Sequence, residues 1–582
     1  MFQHLTHPLR IVWNERITLF WPIWAAITAI AVVLVIRILP ARAKMTLEQV
    51  EPRRHCLSRA GIVAVILLCL FLGCYIAGSL VWEDFTYYDN SHFTNGTLIG
   101  HDIALQILPG AGRFWPLGHQ EFNLLRHFTH SVVGYHALRI AQLLFLCALL
   151  LFIDDELSIQ ARVALILLLL VTPSVLISFS GLIYPEANVL LWLVCLAWFI
   201  KRFERTHATA WAMAAVIASQ FLLYYKETAF MLLFGCAVGR LILRCWKVGE
   251  AGWDFKKLRD PESRLDMCLA SLAVVFLLYY CAVMFPNFGA QYADDRRLSL
   301  LQVTEIYLKL DLTALIFTGV WLARAILILR HKLKCSLFWD GFALGAICYF
   351  AGFIILRIAS SYYLAPVDLI AICYLGRLTL LSIEKMSVTT RACAVVLLTF
   401  ILLQELLLSA FRMYERKNVI HAKAEIGYAI KQWYRSNPQA VRRLFFPSAK
   451  SFMILEFASY LSYSGIPVEE LPAGPVATQR VLLVGKAIQK DGPCGYRTFV
   501  CRPGSNPEHG DLVVVFPDDL TSVRESSLYL TEGSAPLFAY NPSPAIPQWM
   551  RPLVNQLHVA SPVFWDEKLP DSWLNASLSV WK

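Results

Sequence analysis

Charged residues are scarce in this chain, and their scarcity excludes an ordinary soluble protein. Asp, Glu, Lys and Arg make up 16% of the 582 residues, whereas 57% are hydrophobic. Soluble domains usually carry about 25% charged residues. Several apolar runs approach the ~20 residues that a helix needs to cross a bilayer. The composition therefore predicts a polytopic membrane protein.

Other signals are also missing from the sequence. The 15 cysteines form no CxxC pair and no zinc-ligand spacing, and most lie in or beside apolar runs, where Cys acts as a small hydrophobic residue. The first apolar run, near 17–39, lacks a small-residue cleavage site, which favours a retained helix over a signal peptide. The formal charge of +10 does not indicate nucleic acid, because membrane proteins collect basic residues in cytoplasmic loops.

The apolar runs predict a mainly α-helical fold, a bundle of about twelve transmembrane helices. Some of these runs are short, so two of them could be re-entrant or merged. The predicted spans are 17–38, 60–81, 136–153, 161–178, 187–200, 210–225, 228–245, 267–286, 311–329, 337–356, 362–383 and 392–411.

Loop charge orients this bundle. If the loop 82–135 is extracytoplasmic, the inside loops carry roughly three times as many Lys and Arg residues as the outside loops. The same orientation places everything after residue 411 outside. A bacterial inner membrane, with its periplasmic face outside, is the expected location.

The chain divides into three predicted parts. Residues 1–59 hold an extra span and a basic loop, 60–411 form the transmembrane core, and 412–582 form an extracytoplasmic α/β domain. In that last part, Pro, Gly, Ser and charged residues become frequent, and strand-like and helical runs alternate. The strand-like runs are 443–446, 481–485 and 511–516, and the helical runs are 422–433 and 451–463.

Two cysteines, Cys494 and Cys501, lie in the predicted extracytoplasmic domain. On the oxidising side of a membrane they could close a short loop as a disulfide, or they could remain two thiols.

The loop 82–135 is the longest predicted loop and carries an acid cluster at its start. Glu83, Asp84 and Asp89 follow directly after a span, among Trp and Tyr side chains. The runs "IALQILPG" (103–110) and "EFNLLRHF" (121–128) are typical of amphipathic helices that lie in the membrane interface. Such a loop can cover a cavity at the membrane surface.

Carboxylates at this boundary suit general base catalysis, because the proton acceptor must be partly desolvated and within hydrogen-bond reach. The alternative is that Trp and Tyr form the usual interfacial belt and the acids are solvated. Glu83 and Asp84 could also hold a divalent cation, Mg²⁺ or Mn²⁺, since carboxylates suit hard cations. The histidines of the loop show no closed set of metal ligands.

Further charges meet at the same predicted membrane face. Ionisable residues at the ends of spans usually face a cavity and indicate a functional path. Arg and Lys at that depth suit the phosphate of a lipid-linked donor. The alternatives are a structural ion pair of Lys226 with Glu227 or Glu186, and an Arg357 that reaches to the membrane surface. The residues are Glu186, Lys226, Glu227, Arg357, Tyr362 and Tyr363.

Five short motifs lie in the loop 82–135 and near the ends of later predicted spans. They are "WED" at 82–84, "GRFWPLGHQEFNLL" with Arg113 and His119, "YPE" at 184–186, "YKETAF" at 225–230 and "SSYYLAP" at 360–366. With these motifs the chain resembles the GT-C class of membrane glycosyltransferases, which use polyprenyl- or dolichyl-phosphate sugars. The class includes protein O-mannosyltransferases and lipid A glycosyltransferases. The resemblance covers roughly 60–411.

The resemblance implies that a sugar moves from a lipid phosphate to an acceptor outside the cytoplasm. Asp84 matches the aspartate that acts as base in the class and helps to bind a metal in some members. Glu83 could share this role, because the class often shows an acid pair at this point. Lys226 resembles the class's contact to the lipid phosphate. The acceptor could be a glycan, a lipid or a protein.

Three other functions fit the sequence less well. A ligase or polymerase that uses a lipid diphosphate donor shares nearly every feature. A transporter or flippase would more often show charges at mid-bilayer in two matching halves. A non-catalytic scaffold leaves the meeting of acids, Lys and Arg at one face unexplained.

Overall fold

The structure is a computed structural model. It describes residues 19–39, 58–79, 103 and 105–108, 112–247 apart from 183, 252–284, 299–382 apart from 331 and 359, 387–447, parts of 454–515, 534–540 and 576–581.

Helices dominate the described residues. The first group is α1 Phe20–Ile38, α2 Arg59–Ser79, α3 Gln120–Leu125, α4 Val132–Ile153, α5 Ile159–Leu170, α6 Pro173–Ser180, α7 Glu186–Thr206 and α8 Thr209–Tyr225. The second group is α9 Ala229–Cys245, α10 Pro261–Met284, α11 Leu300–Leu310, α12 Leu312–Leu329, α13 Leu337–Ile355, α14 Ala365–Ser382 and α15 Val388–Ser436. Two 3₁₀ helices, Phe255–Arg259 and Ser361–Leu364, precede α10 and α14.

All twelve predicted spans coincide with helical segments, which confirms a mainly α-helical membrane fold. Within the described residues, eight helices are long and apolar enough to cross a bilayer, or nine if one bent pair counts as a span. The number twelve stays a prediction. Helices α13 and α14 are largely buried inside the bundle, whereas α1 and α2 expose most of their surface, as lipid-facing helices do.

The predicted span 161–178 is bent rather than straight. Helices α5 and α6 meet at 72° across the break at Val171 and Thr172. Pro173 begins α6 and cannot donate the backbone hydrogen bond that would continue α5. The bend directs α6 toward the 3₁₀ helix at Ser361–Leu364.

Two glycine pairs bring α9 and α13 into close contact. Gly235 and Gly239 lie one turn apart on α9, and Gly341 and Gly345 lie one turn apart on α13. A Cβ atom added at Gly345 would lie 2.5 Å from the Leu232 carbonyl oxygen. Small residues at this spacing let helix backbones approach within a membrane. The contact fixes the segment just before α9 relative to the segment just after α13.

The carboxy-terminal residues form the predicted α/β arrangement. Its strands are β5 Arg443–Phe446, β6 Leu482–Gly485, β7 Gly492–Pro493, β8 Val500–Pro503, β9 Leu512–Val515, β10 Ser534–Tyr540 and β11 Ala576–Trp581. They form one sheet of order β10-β11-β9-β5-β6-β8-β7, in which β9, β5, β6 and β8 are parallel. The three predicted strand runs are therefore confirmed as β5, β6 and β9.

Helix α15 joins the bundle to this sheet. It continues through residue 412, and its last third buries Ala422, Ile426 and Ile430 against the apolar face of the sheet. Cys501 is disulfide-bonded. The pairing with Cys494 stays a prediction, because Cys494 lies outside the described residues.

One predicted helix is wrong. Residues 107–108 of the run 103–110 form a strand, β1 Ile107–Leu108, which pairs antiparallel with β2 Arg113–Phe114. Pro109 and Gly110 follow directly, and this dipeptide favours a turn. The second run, 121–128, does contain a helix, α3. A further hairpin pairs β3 Trp246–Lys247 with β4 Gly252–Trp253.

Candidate functional site

A buried ion pair lies at one face of the bundle, where α7 begins and α8 ends. Lys226 directly follows α8, and Glu186 is the first residue of α7. The Lys226 Nζ lies 2.9 Å from Glu186 Oε1, and the two side chains are 3% and 0% exposed. The amino end of a helix favours a negative charge, so Glu186 at the first position of α7 is well placed to face Lys226. The predicted structural pair therefore exists, and it holds Lys226 in the protein interior.

Aromatic rings enclose Lys226. Its Nζ lies 4.4 Å from the ring centre of Tyr363 and 5.8 Å from that of Trp115. Tyr362 packs against Tyr363 at 4.4 Å and against Tyr184 at 4.6 Å between ring centres. A cation over aromatic faces is attracted to them, and the rings keep water away. The ammonium group therefore lies in an apolar setting in which charge interactions are strong.

A second ion pair lies beside the first. Arg113 of β2 places its Nε 2.9 Å from Glu227 Oε1, with both side chains about one seventh exposed. The strand is fastened to the bundle, because the Leu117 amide donates to the Tyr224 carbonyl at 3.1 Å. Tyr280 also donates to the Gly112 carbonyl. Arg113 is thus the more accessible cation of the two pairs.

Glu121 of α3 connects the segment 112–128 to three helices. Its carboxylate accepts from Asn188 at 2.6 Å and from Tyr225 at 3.4 Å, and it pairs with Arg139 at 3.3 Å. Arg139 is fully buried and also donates to the Leu182 carbonyl. Asn188 lies two residues after Glu186, and Tyr225 lies one residue before Lys226. This network therefore positions both partners of the central ion pair.

The structure brings most of the predicted site residues together. Glu186, Lys226, Glu227, Tyr362, Tyr363 and Arg113 meet at one face. His119 lies near them, buried between the rings of Trp115 and Phe122, with a left-handed backbone φ of 66°. Its buried position beside Trp115 indicates that His119 packs within the segment 112–128.

Two groups of predicted residues stand apart. Glu83, Asp84 and Asp89 lie outside the described residues. Arg357 is exposed after the end of α13, with a φ of 55°. Within the described part of the chain, its side chain forms no hydrogen bond or ion pair with the central cluster.

Four residues of this site were not predicted from the sequence: Trp115, Glu121, Arg139 and Asn188. Glu121 and Trp115 belong to the same quoted motif as Arg113, and Asn188 follows Glu186 by two positions. Their closeness in sequence to predicted site residues was the one signal that could have identified them. Their contacts with one another depend on the packing of α3 against α4, α7 and α8, which spacing does not reveal.

Charges farther from this face are used in structural pairs. Arg324 pairs with Asp340 at 2.9 Å, and Arg377 pairs with Asp154 at 2.5 Å. In the described ranges, three or more His, Cys, Asp or Glu side chains nowhere form a group suited to a metal ion.

Comparisons with known proteins found a similarity to solved structures. No family model matches the chain, and no curated protein matches it. A solved structure that is similar is the crystal structure of ArnT from Cupriavidus metallidurans bound to undecaprenyl phosphate. The sequence identity is 12% and the TM-score is 0.43, over 83% of this chain and 97% of that one. At that identity and score, the similarity assigns no role to individual residues.

Proposed function

We propose that this protein is a membrane glycosyltransferase that moves a sugar from a polyprenyl-phosphate donor to an extracytoplasmic acceptor. One observation carries the proposal: a buried lysine, paired with Glu186 and enclosed by aromatic rings, lies at the ends of two membrane helices. Buried charge in a membrane protein is costly and is usually retained for function. A lipid-linked phosphate is the anion that such a site can receive from the bilayer.

Lys226 and Arg113 are the proposed contacts to the donor phosphate. Each is already balanced by a glutamate, Lys226 by Glu186 and Arg113 by Glu227. A phosphate that enters between the pairs meets two cations in fixed positions. Arg113 can offer its planar fork and Lys226 a point charge. Arg357 is exposed, so we assign it at most a contact at the edge of the donor site.

Tyr362, Tyr363 and Trp115 line the place where the phosphate and the first sugar would meet. Their faces around Lys226 provide an apolar wall with polar edges. Sugar rings pack on such walls through their C–H faces, while hydroxyl groups bind to Tyr oxygens. The wall also excludes water, which would otherwise compete as acceptor.

Asp84 is the proposed general base, with Glu83 as its neighbour. The acceptor hydroxyl oxygen attacks the anomeric carbon, and the bond from that carbon to the phosphate oxygen breaks. The acceptor proton passes to the Asp84 carboxylate, and the negative charge released on the lipid phosphate is stabilised by Lys226. Loss of the base should lower the rate by roughly 10²–10⁴-fold.

A divalent cation, Mg²⁺ or Mn²⁺, remains a proposal for Glu83 and Asp84. It would supply charge stabilisation to the phosphate when bound. These carboxylates are the residues that would hold it. The acceptor class, whether glycan, lipid or protein, and the periplasmic location follow the sequence and are part of the same proposal.

A ligase or polymerase with a lipid diphosphate donor is the second candidate within the same site. Two cations, Lys226 and Arg113, match two phosphate groups as well as they match one. A transporter or flippase is the third candidate. The Lys226–Glu186 and Arg113–Glu227 pairs lie at one face of the bundle, which favours chemistry at that face over passage through the bilayer.

The test is a comparison of glycans and lipids from cells that carry wild-type protein, Asp84→Asn or Lys226→Ala, at matched expression. Lys201→Ala is the control, because Lys201 is also partly buried and paired with an acid, Asp154, at the other end of α7. We expect both site variants to lose the same sugar from one product while the control keeps it. An unchanged product in both site variants, with the protein present in the membrane, contradicts the proposal.

A further inference from the structure

The end of the bundle opposite Lys226 carries an exposed aromatic and basic surface. We call it the hairpin surface: Trp253, Phe255, Lys256, Lys257 and Arg259. Helix α9 separates it from the site, and its 17 residues span about 25 Å at 1.5 Å per residue. The hairpin surface is therefore independent of the proposed catalytic site.

Its aromatic rings are exposed and ordered against one another. Trp253 is 48% exposed and Phe255 is 66% exposed. The three rings form a row: Trp246 meets Trp253 edge-on at 5.2 Å between ring centres, and Trp253 stacks on Phe255 at 6.2 Å. In water this row would cost free energy, whereas aromatic side chains are enriched where a helix leaves the membrane.

Two of the three cations beside these rings have no ion-pair partner among the described residues. Lys256 and Arg259 are exposed and form no ion pair among the described residues. Lys257 lies 3.8 Å from Asp260, and both side chains are about half exposed, so that pair is weak. Lys256 and Arg259 thus present positive charge with no described acid within ion-pair distance.

A rigid base holds the surface. The Asp254 amide donates to the Cys245 carbonyl at 2.8 Å, and the Asp254 carboxylate accepts from the Lys256 amide. Arg244, at the end of α9, pairs with Glu262 of α10 at 3.5 Å. The hairpin is thereby tied to the ends of α9 and α10, so its rings and cations keep a fixed position relative to the bundle.

We infer that the hairpin surface binds the anionic headgroups of the membrane leaflet that faces away from Lys226. The rings of Trp253 and Phe255 enter the interface, and Lys256, Lys257 and Arg259 reach the lipid phosphates. Charge complementarity supports this partner, since basic clusters next to a membrane helix attract anionic lipid. The position at the ends of α9 and α10 brings the surface to the headgroup region.

The experiment uses the full-length protein in detergent and measures its affinity for fluorescent phosphatidylglycerol and phosphatidylcholine. We expect tighter binding of phosphatidylglycerol, and a loss of roughly fivefold for each cation removed in Lys256→Gln/Arg259→Gln. The loss should shrink as salt is raised, because salt screens exposed charges. Trp253→Ser/Phe255→Ser should weaken binding of both lipids.

The matched control removes two other exposed lysines, Lys332 and Lys334, which follow α12 and whose nearest aromatic residues along the chain, Phe338 and Trp339, are buried. Lys332→Gln/Lys334→Gln should leave the phosphatidylglycerol affinity within twofold of wild type. Equal losses in the control and in Lys256→Gln/Arg259→Gln would overturn the inference, because the effect would then be one of net charge. Unchanged binding in Lys256→Gln/Arg259→Gln would overturn it as well.

Discussion

Lys226 and Glu186 form an ion pair, 2.9 Å between Nζ and Oε1, in which both side chains are almost completely buried. Such a pair gains little net stability, because the cost of removing two charges from water offsets their attraction. Removing one partner is far more costly, since the other charge stays buried alone. The stability of the protein should therefore depend on whether Lys226 has a counter-charge, either Glu186 or another anion in its place.

The first prediction concerns that replacement. In Glu186→Gln, Lys226 loses its counter-charge and the free protein should be less stable by about 3–5 kcal/mol. A polyprenyl phosphate should restore more stability to this variant than it adds to wild type, because its phosphate supplies the missing charge. Thermal unfolding with and without the lipid measures both effects. A ligand-induced shift no larger than that of wild type would refute the idea.

The second prediction concerns the glycine contact between α9 and α13. Gly345→Ala should destabilise the protein by about 1–3 kcal/mol, because the new methyl group meets the backbone at Leu232 and Cys236. Gly319→Ala is the control, since a Cβ atom at Gly319 meets nothing within 4 Å. The comparison is made by thermal unfolding in one detergent. Equal stability of the two variants would show that the close contact does not exist.

The third prediction concerns Arg139 and Glu121. Arg139→Leu should cost about 3–5 kcal/mol of stability, because Glu121 loses its buried counter-charge. Glu121→Gln keeps hydrogen-bonding groups toward Asn188 and Tyr225 but leaves the buried Arg139 without its counter-charge, so it should also lower the unfolding temperature, and binding is measured below that temperature. If the network positions Lys226, Glu121→Gln should still raise the Kd for polyprenyl phosphate. A wild-type Kd in this variant would limit the network to a structural role.

The fourth prediction concerns three buried carboxyl groups, Asp311, Asp368 and Glu405. Ser174 hydrogen-bonds to Asp368, and Thr313 donates to Glu405 at 2.9 Å. Among the described residues no lysine or arginine pairs with any of the three. Without a basic partner among the described residues, an ionised carboxylate in this buried place would be costly.

Amide substitutions in this cluster should therefore be tolerated. Asp368→Asn and Glu405→Gln keep the hydrogen bonds and remove the cost of a buried charge, so stability at neutral pH should stay the same or rise. Arg139→Leu serves as the destabilised comparison. A fall of more than about 2 kcal/mol in both amide variants would mean that the charges are paired after all.

Much of the bundle could be predicted from the sequence, because apolar runs of span length are a strong local signal. The strands β5, β6 and β9 were equally visible as short apolar runs. The meeting of Lys226 with Glu186 followed from placing their loops on one face. The order of strands in the sheet depends on distant pairing and could not be read locally.

Other parts could not be predicted for identifiable physical reasons. The Pro109–Gly110 dipeptide disfavours a continued helix, and Ile107–Leu108 pairs with Arg113–Phe114 instead of following the helical period of the run 103–110. The glycine pairs of α9 and α13 are plain in the sequence, but their partner helix is not. Only the packing of the helices shows that Arg139 of α4 pairs with Glu121.

The central claim, that Lys226 binds a lipid-linked phosphate, is tested most directly by the binding of polyprenyl phosphate to purified protein. Lys226→Met keeps the length of the side chain and removes its charge, and Lys201→Met is the matched control, because Lys201 also pairs with an acid and lies over aromatic rings. We predict at least a tenfold weaker affinity for Lys226→Met and wild-type affinity for Lys201→Met. Wild-type affinity in Lys226→Met would contradict the account.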